Sequence, residues 1–278
     1  MIQQSEIVIM AVTGIIAVML PFIFMLVLSR KFKVRWLPLI LGIAVFILFA
    51  LILEQLMHLF VLKPQPDGSI ALISNAPWLY VLYGVFAAGI FEETGRLLAF
   101  LITKRHYKDI DSAVSYGIGH GGIEAAAIVG LGMLNGIIFA VLINSGSESL
   151  NALPIPKEDL IASQPWYMYA IAIGERILAM SLHIGLSIIV FASVMMKRKW
   201  WLFPAAIILH ALANTTAAMM QAGLLANIYL MYSGLIIMTI ATITIAVRLV
   251  KEYRKNVYSL QSINTRKVNK SALNHTLK

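Results

Sequence analysis

Residues 78–102 read WLYVLYGVFAAGIFEETGRLLAFLI, a stretch long enough to cross a bilayer that nevertheless carries three charged residues within five positions. A charged side chain at the centre of a lipid-facing helix costs roughly 2.5–3.5 kcal/mol. Glu92, Glu93 and Arg96 are therefore expected to face other helices or a water-filled cavity rather than lipid. Such a polar cavity inside a membrane indicates a functional site.

The whole chain has the composition of a membrane protein. Of its 278 residues 60% are hydrophobic and only 13% are charged, about half the usual charged share of a soluble domain. The apolar stretches predict an all-α, polytopic transmembrane helix bundle with seven spans, at 7–29, 36–62, 78–102, 112–143, 167–196, 201–220 and 224–247. We expect one transmembrane domain over 1–250, whose candidate functional core is 78–220, with an outer loop near 144–166 and a basic cytoplasmic tail at 251–278.

The distribution of lysine and arginine predicts the orientation of the bundle. With the N-terminus outside, 18 of the 22 basic residues fall in the inner loops and the tail, and only Lys63 and Lys157 fall outside. Arg96 and Arg176 lie within spans. The positive-inside rule therefore favours an N-out, C-in bundle. The net charge of +9 then reflects topology and contact with anionic lipid headgroups, and not nucleic-acid binding.

Several chemistries are excluded by what the sequence lacks. It has no cysteine, so disulfides, thiolate nucleophiles and cysteine–metal sites are ruled out. The predicted spans contain no aspartate and no lysine, and no His-Glu-x-x-His or Gly-x-Ser-x-Gly motif occurs. A two-aspartate protease, serine–lysine chemistry and a zincin helix are thereby disfavoured.

The polar residues of the spans form an inner and an outer set. At 1.5 Å per residue, the inner set lies roughly 12–21 Å from the inner surface and consists of Glu92, Glu93, His120, Glu124, His183, His210 and Asn214. Four helices thus present polar groups at one level, which chance placement would not produce. The outer set comprises the pairs Glu54–His58 and Glu175–Arg176, which we interpret as ion pairs near the outer headgroups.

Spacing within each helix indicates which inner residues act together. Arg96 follows Glu92 by four and Glu93 by three positions, so it can reach one carboxylate of the pair. Tyr116, His120 and Glu124 repeat every four residues and share one helix face. His210 and Asn214 are likewise one turn apart.

These motifs resemble those of the CAAX-protease and bacteriocin-processing superfamily of intramembrane proteases. The resemblance is carried, over about 85–220, by Glu92-Glu93-x-x-Arg96, by Tyr116-x-x-x-His120 and by His210-x-x-x-Asn214, in this order on successive helices. The chain looks most like the YhfC-type membrane peptidases, which are grouped with PrsW-type proteases and the APH scaffold subunit of γ-secretase.

The resemblance implies a role for each residue. Glu92 would be the general base that polarises a water, and Glu93 and Arg96 would support it electrostatically. His120 would help to hold the water, while His210 and Asn214 would stabilise the oxyanion or, in an older view of the family, help to bind a metal. His183 matches an additional histidine of this branch.

The chain also departs from the better-known family pattern. The arginine comes one residue earlier than in Glu-Glu-x-x-x-Arg, which leaves its carboxylate partner open. Tyr116 replaces the usual phenylalanine, and Glu124 adds a carboxylate to the second motif.

The leading hypothesis is an intramembrane endopeptidase of the glutamate or metalloprotease type. Metal-free chemistry is slightly favoured because no ligand spacing is diagnostic, but zinc remains open, with candidate ligands Glu92, His120, Glu124, His183 and His210. The expected partners are the lipid bilayer and a membrane protein or peptide substrate. The expected location is a cell membrane, in particular a bacterial plasma membrane. The alternatives are a non-catalytic scaffold subunit, a proton-coupled transporter using the same residues as a relay, and, least favoured, a haem protein.

Overall fold

The prediction of an all-α fold is confirmed by the computed structural model, which describes residues 1–65, 68–147, 150 and 165–276, with side chains up to 257. In this part of the chain we find helices and no strand. We number the longer helical segments in chain order as α1 (Gln4–Leu28), α2 (Trp36–Leu62), α3 (Ala71–Asn75), α4 (Pro77–Thr103), α5 (Ile110–Asn144), α6 (Trp166–Met195), α7 (Leu202–Gln221) and α8 (Ile228–Thr276). The predicted outer loop near 144–166 falls largely outside the described residues.

Six of these helices are long and apolar enough to cross a membrane, namely α1, α2, α5, α6, α7 and the Ile228–Val257 part of α8. Helix α4 has 27 residues but is less apolar, because Glu92, Glu93 and Arg96 interrupt it. It coincides with the predicted third span. The helix ends lie within a few residues of the predicted span ends, except that α8 continues as a helix into the predicted tail.

Two spans contain a wider, π-helical segment. These segments are Phe46–Glu54 in α2 and Ala126–Gly130 in α5. The predicted fourth span is interrupted by such a segment, whereas the fifth, which is also long, is a continuous α-helix. A π-helical segment shifts the faces presented by the residues on either side of it, and such segments are frequent beside functional sites.

Helix α6 lies at the centre of the bundle. In its most apolar window 72% of the residues are buried, against 28% or less in the other five candidates. It packs between α5 on one side and α8 on the other, while α2 covers α5 and α7 packs on α4. The core therefore runs along the half of α6 that ends near the basic 197–199 loop, where Leu182–Ala192 is buried.

The glycines of the 116–124 motif allow close helix packing. A Cβ placed on Gly119 would come within 2.0 Å of the Leu39 carbonyl oxygen in α2. A Cβ on Gly117 would lie 2.6 Å from Ile184 Cα in α6, far inside van der Waals contact. These two glycines therefore allow the backbones of α2 and α6 to approach α5 closely.

Candidate active site

The four histidine- and glutamate-bearing helices bring their polar residues together at one level. At 1.5 Å per residue, Glu92, His120, His183 and His210 lie about 12–18 Å from the helix ends that join the basic loops. All four side chains are buried: Glu92 is 7% exposed and the three histidines are 3% exposed or less. One cluster thus gathers residues from α4, α5, α6 and α7.

Glu92 lies at the centre of the three imidazoles. Its Oε2 is 2.8 Å from Nε2 of His120 and 4.0 Å from Nδ1 of His183. Its Oε1 is 3.9 Å from Nε2 of His210. The first contact is a hydrogen bond, whereas the two longer distances leave room between the carboxylate and the other histidines.

Glu93, the second carboxylate of the pair, contacts Arg96 and His210. It is fully buried, receives a hydrogen bond from Arg96, and lies 2.8 Å from Nδ1 of His210. Arg96 is equally buried, and its guanidinium lies 5.8 Å from the Tyr116 ring centre, a cation–π distance. The question of which carboxylate Arg96 pairs with is answered in favour of Glu93, and the contacts of Glu92 described above are with imidazoles.

The contacts of Arg96 and Glu124 fix the orientation of His183. Arg96 Nη2 lies 3.0 Å from Nδ1 of His183. Because a guanidinium can only donate hydrogen bonds, Nδ1 must be the acceptor and the imidazole proton sits on Nε2. Nε2 in turn lies 2.6 Å from Oε2 of Glu124, so a carboxylate is next to that nitrogen.

Glu124 connects the cluster to a pair that was predicted to stand apart. Its Oε1 receives a hydrogen bond of 2.9 Å from Arg176, which also contacts Glu175. The predicted Glu175–Arg176 ion pair is present, but its separation from the inner set is wrong, because Arg176 also pairs with Glu124. Charge balance could have revealed the link between Arg176 and Glu124. Glu124 needs a cationic partner, and Arg96 already pairs with Glu93.

Glu54 and His58 form a contact of their own. His58 Nε2 lies 3.3 Å from Glu54 Oε1, and its Nδ1 is 2.9 Å from the Tyr83 hydroxyl. Neither residue lines the cavity beside Glu92. Glu54 and His58 thus form the predicted pair within α2, and His58 links this pair to Tyr83 of α4.

A small polar cavity adjoins Glu92. Its volume is about 80 Å³, room for several waters, since about 10–15 Å³ suffices for one. Glu92, His183 and His210 line its deep end, and Asn214 lines it one turn beyond His210. Residues that the sequence did not suggest line the rest, including Thr216, Met231 and Tyr232. His120 and Tyr116 are not among its lining residues, so these two side chains do not face the cavity.

A larger cavity of about 540 Å³ lies elsewhere, at the basic-loop end of the bundle. Its walls include Arg30, Lys31, Lys108 and Arg254. It holds no histidine and no glutamate, which separates it from the chemistry described above. Its position beside the basic loops fits the zone of lipid headgroups.

Glu92, His183 and His210 offer donors that suit a metal ion. One ligand atom from each lies within 4.8 Å of the others, and two nitrogens with one oxygen is a donor set that zinc accepts. Each of the two imidazoles also has a carboxylate at its other nitrogen, Glu124 for His183 and Glu93 for His210, which is the usual support of metal-binding histidines. The residues therefore fit a metal, provided that Arg96 releases Nδ1 of His183.

The formal charges of this region also favour a bound cation. Four carboxylates, those of Glu92, Glu93, Glu124 and Glu175, face only two guanidiniums. Two negative charges are left over unless protons or a cation balance them. A divalent ion beside Glu92 would supply that balance in a region where uncompensated charge is costly.

Comparison with known proteins identifies the class. Residues 16–234 match the YhfC intramembrane metalloprotease family, and the chain belongs to this family of membrane proteins. It is 34% identical over 233 residues to the uncharacterized membrane protein YhfC of Bacillus subtilis (strain 168), a match that covers 81% of this chain and 89% of that protein. No solved structure matches the chain.

Proposed function

We propose that the protein is an intramembrane endopeptidase that hydrolyses a peptide bond in a membrane-associated protein or peptide. The observation that carries the proposal is the convergence of Glu92, His183 and His210 on a polar cavity within membrane-crossing helices. The family to which the chain belongs supports the same activity. The site, at the depth described above, is nearer to the basic-loop ends of its helices than to the far ends of α5 and α6.

We propose Glu92, His183 and His210 as the residues that hold a zinc ion. A bound zinc ion polarises a carbonyl oxygen and lowers the pKa of a coordinated water. In this scheme Glu124 and Glu93 fix the orientation of His183 and His210. The other two candidate ligands contact the proposed ligands instead. His120 contacts Glu92 through Nε2, and the Glu124 carboxylate contacts His183. We therefore propose that His120 and Glu124 hold the ligands in position.

The attacking water is proposed to lie in the cavity beside Glu92. In the metal-free alternative, Glu92 would not be a ligand, and its carboxylate would be the general base that accepts a proton from that water. His120 Nε2, 2.8 Å from Glu92 Oε2, holds the carboxylate in place. The side-chain amide of Asn214, on the wall of the same cavity, is placed to donate a hydrogen bond to the oxyanion of the tetrahedral intermediate.

We further propose a topology of seven spans with the N-terminus outside and the C-terminus inside. Helix α4 then completes the set as a span whose charged residues face the bundle interior, where Glu93 and Arg96 are each fully buried. The substrate is a membrane protein or peptide, and the location is a cell membrane, such as a bacterial plasma membrane.

The proposal is tested with purified protein in proteoliposomes and with cells. Glu92→Gln keeps the shape but removes the negative charge, and we expect peptide cleavage to fall by about 10²–10⁴-fold, as for loss of a general base. Glu54→Gln is the matched control, because Glu54 is also a buried intramembrane glutamate but contacts His58. Its cleavage should stay near that of the unmodified protein.

A chelator should abolish cleavage in the same assay, and added zinc should restore it. Membrane-peptide fragments from cells that carry Glu92→Gln should lack a subset present with the unmodified protein. Identical fragment sets under every condition, together with no peptide cleavage by the purified unmodified protein, would exclude the enzyme and leave a scaffold role.

A further inference from the structure

The residues that line the cavity beside Glu92 differ in solvent exposure from one end of the cavity to the other. At the deep end Glu92, His183 and His210 are buried. Towards the other end the lining residues Glu175, Ala217 and Tyr232 are half-buried, and the Glu175 side chain is 31% exposed. The lining is thus more exposed at Glu175 and Tyr232 than beside Glu92.

That direction leads away from the basic loops. Glu175 lies eight residues before His183 in α6, about 12 Å along the axis towards the helix start. Tyr232 lies in the first turns of α8, just after the 222–227 connection, which contains no lysine or arginine. The accessible end is therefore opposite to the 30–35, 104–108 and 197–199 loops.

Towards the basic loops the site is closed by a layer of aromatic rings. The ring centres of Phe100 and Tyr116 are 5.0 Å apart, and those of Phe100 and Phe191 are 5.6 Å apart. All three residues are 3% exposed or less. Tyr253 continues the layer at 5.6 Å from Phe191, and its hydroxyl donates a hydrogen bond to the Lys108 carbonyl. We call these four residues the ring layer.

Helix contacts limit the possible opening further. Below the site, α6 and α8 are so close that a Cβ on Gly185 would come within 2.8 Å of Thr242. At the accessible end, Thr216 of α7 donates a hydrogen bond of 2.8 Å to the Met231 carbonyl of α8, which closes the seam between these two helices. At this end the half-buried lining residues include Glu175 of α6 and Tyr232 of α8.

We infer that water reaches the Glu92 site from the membrane face opposite the basic loops, through the gap between α6 and α8 at Glu175 and Tyr232. The polar walls of this gap suit water, whereas the ring layer excludes it from the other face. The inference concerns solvent access and holds whether or not the site hydrolyses peptides. Resting on the proposed function, it also means that the scissile bond is hydrolysed by water from that face.

The test uses the natural lack of cysteine in this chain. Single cysteines replace Ala217 and Tyr232 of the cavity, and each variant is treated with a charged, membrane-impermeant thiol reagent. Two exposed positions serve as references for the two membrane faces. Tyr229→Cys, at the start of α8, reports the face opposite the basic loops. Trp200→Cys, in a basic loop, reports the other face. Ile237→Cys is the lipid-facing control on α8, at a position that is 63% exposed.

We expect Ala217→Cys and Tyr232→Cys to be labelled from the same face as Tyr229→Cys and not from the face of Trp200→Cys. Their labelling should be at least roughly tenfold faster than that of Ile237→Cys, because the reactive thiolate forms only where water is present. Labelling from the face of Trp200→Cys would overturn the inference. So would rates equal to that of Ile237→Cys, which would show that the gap opens to lipid. Neither result depends on proteolytic activity.

Discussion

At the scale of single residues, the site separates two glutamates that are neighbours in sequence. Glu93 is held by Arg96 and His210, while Glu92 meets the cavity and three imidazoles. Residue spacing predicted that Arg96 would reach one of the pair, but it could not choose between positions i+3 and i+4. The choice depends on how α4 is rotated against α6 and α7, which only the packed bundle fixes.

The role of Glu124 follows from its contact with His183. Glu124→Gln removes the charge that faces Nε2 of His183, and we expect the affinity for zinc to fall by roughly 10–100-fold. The measurement is zinc retention of the purified protein during dialysis against a graded competitor. Cleavage should fall in parallel.

Glu175→Gln is the matched control for that prediction, because Glu175 also contacts Arg176 but makes no contact with His183. Zinc retention should be unchanged in this variant. Equal losses in both variants would show that charge balance around Arg176, and not the orientation of His183, determines zinc binding.

At the scale of helices, the glycine-rich face of α5 decides how closely the bundle packs. Its first half lies against α2 and α6, and its residues from Ala113 to Gly122 are buried. The sequence showed the glycines and the shared face of Tyr116, His120 and Glu124. It could not show which neighbours approach, since helix pairing in a membrane depends on contacts between distant parts of the chain.

We expect Gly119→Ala to lower the free energy of unfolding by about 1–3 kcal/mol, the usual cost of overpacking. Its Cβ would collide with the backbone of α2 at 2.0 Å, and backbone cannot move aside as a side chain can. Thermal unfolding in detergent, followed by light scattering or intrinsic fluorescence, measures the loss.

Gly132→Ala provides the comparison, since it lies on the same helix and a Cβ there meets nothing within 4 Å. It should unfold at the temperature of the unmodified protein or slightly above, because alanine favours helix more than glycine does. A Gly119→Ala protein as stable as this one would show that α2 and α5 are not packed as described.

At the scale of the whole molecule, hydrophobicity and charge together predicted most of the fold. Six of the seven predicted spans coincide with helices that are long and apolar enough to cross a membrane. The remaining one, α4, escapes a purely compositional criterion because it carries the charges of the site. The link from Arg176 to Glu124 was missed for a different reason: it joins α6 to α5 across the bundle, and no spacing within one helix encodes it.

The topology makes a prediction of its own. Reporters that are active only outside the cytoplasm should be active when fused after residue 64, after residue 145 or after residue 223. They should be silent when fused after residue 32, after residue 106 or after residue 198, and at the C-terminus, because lysine and arginine retain these segments inside. Activity on both sides of α4 would show that this helix does not cross the membrane and that the bundle has six spans.

The ring layer described above also has an electrical consequence. A wet cavity that reaches the middle of a bilayer shortens the insulating path, so the membrane voltage falls mainly across the dry part that remains. Moving one elementary charge through the full voltage costs about 2.3 kcal/mol per 100 mV. With the water access inferred above, Phe100, Tyr116, Phe191 and Tyr253 would belong to the dry part across which most of that drop occurs, and they would separate the wet cavity from the face of the basic loops.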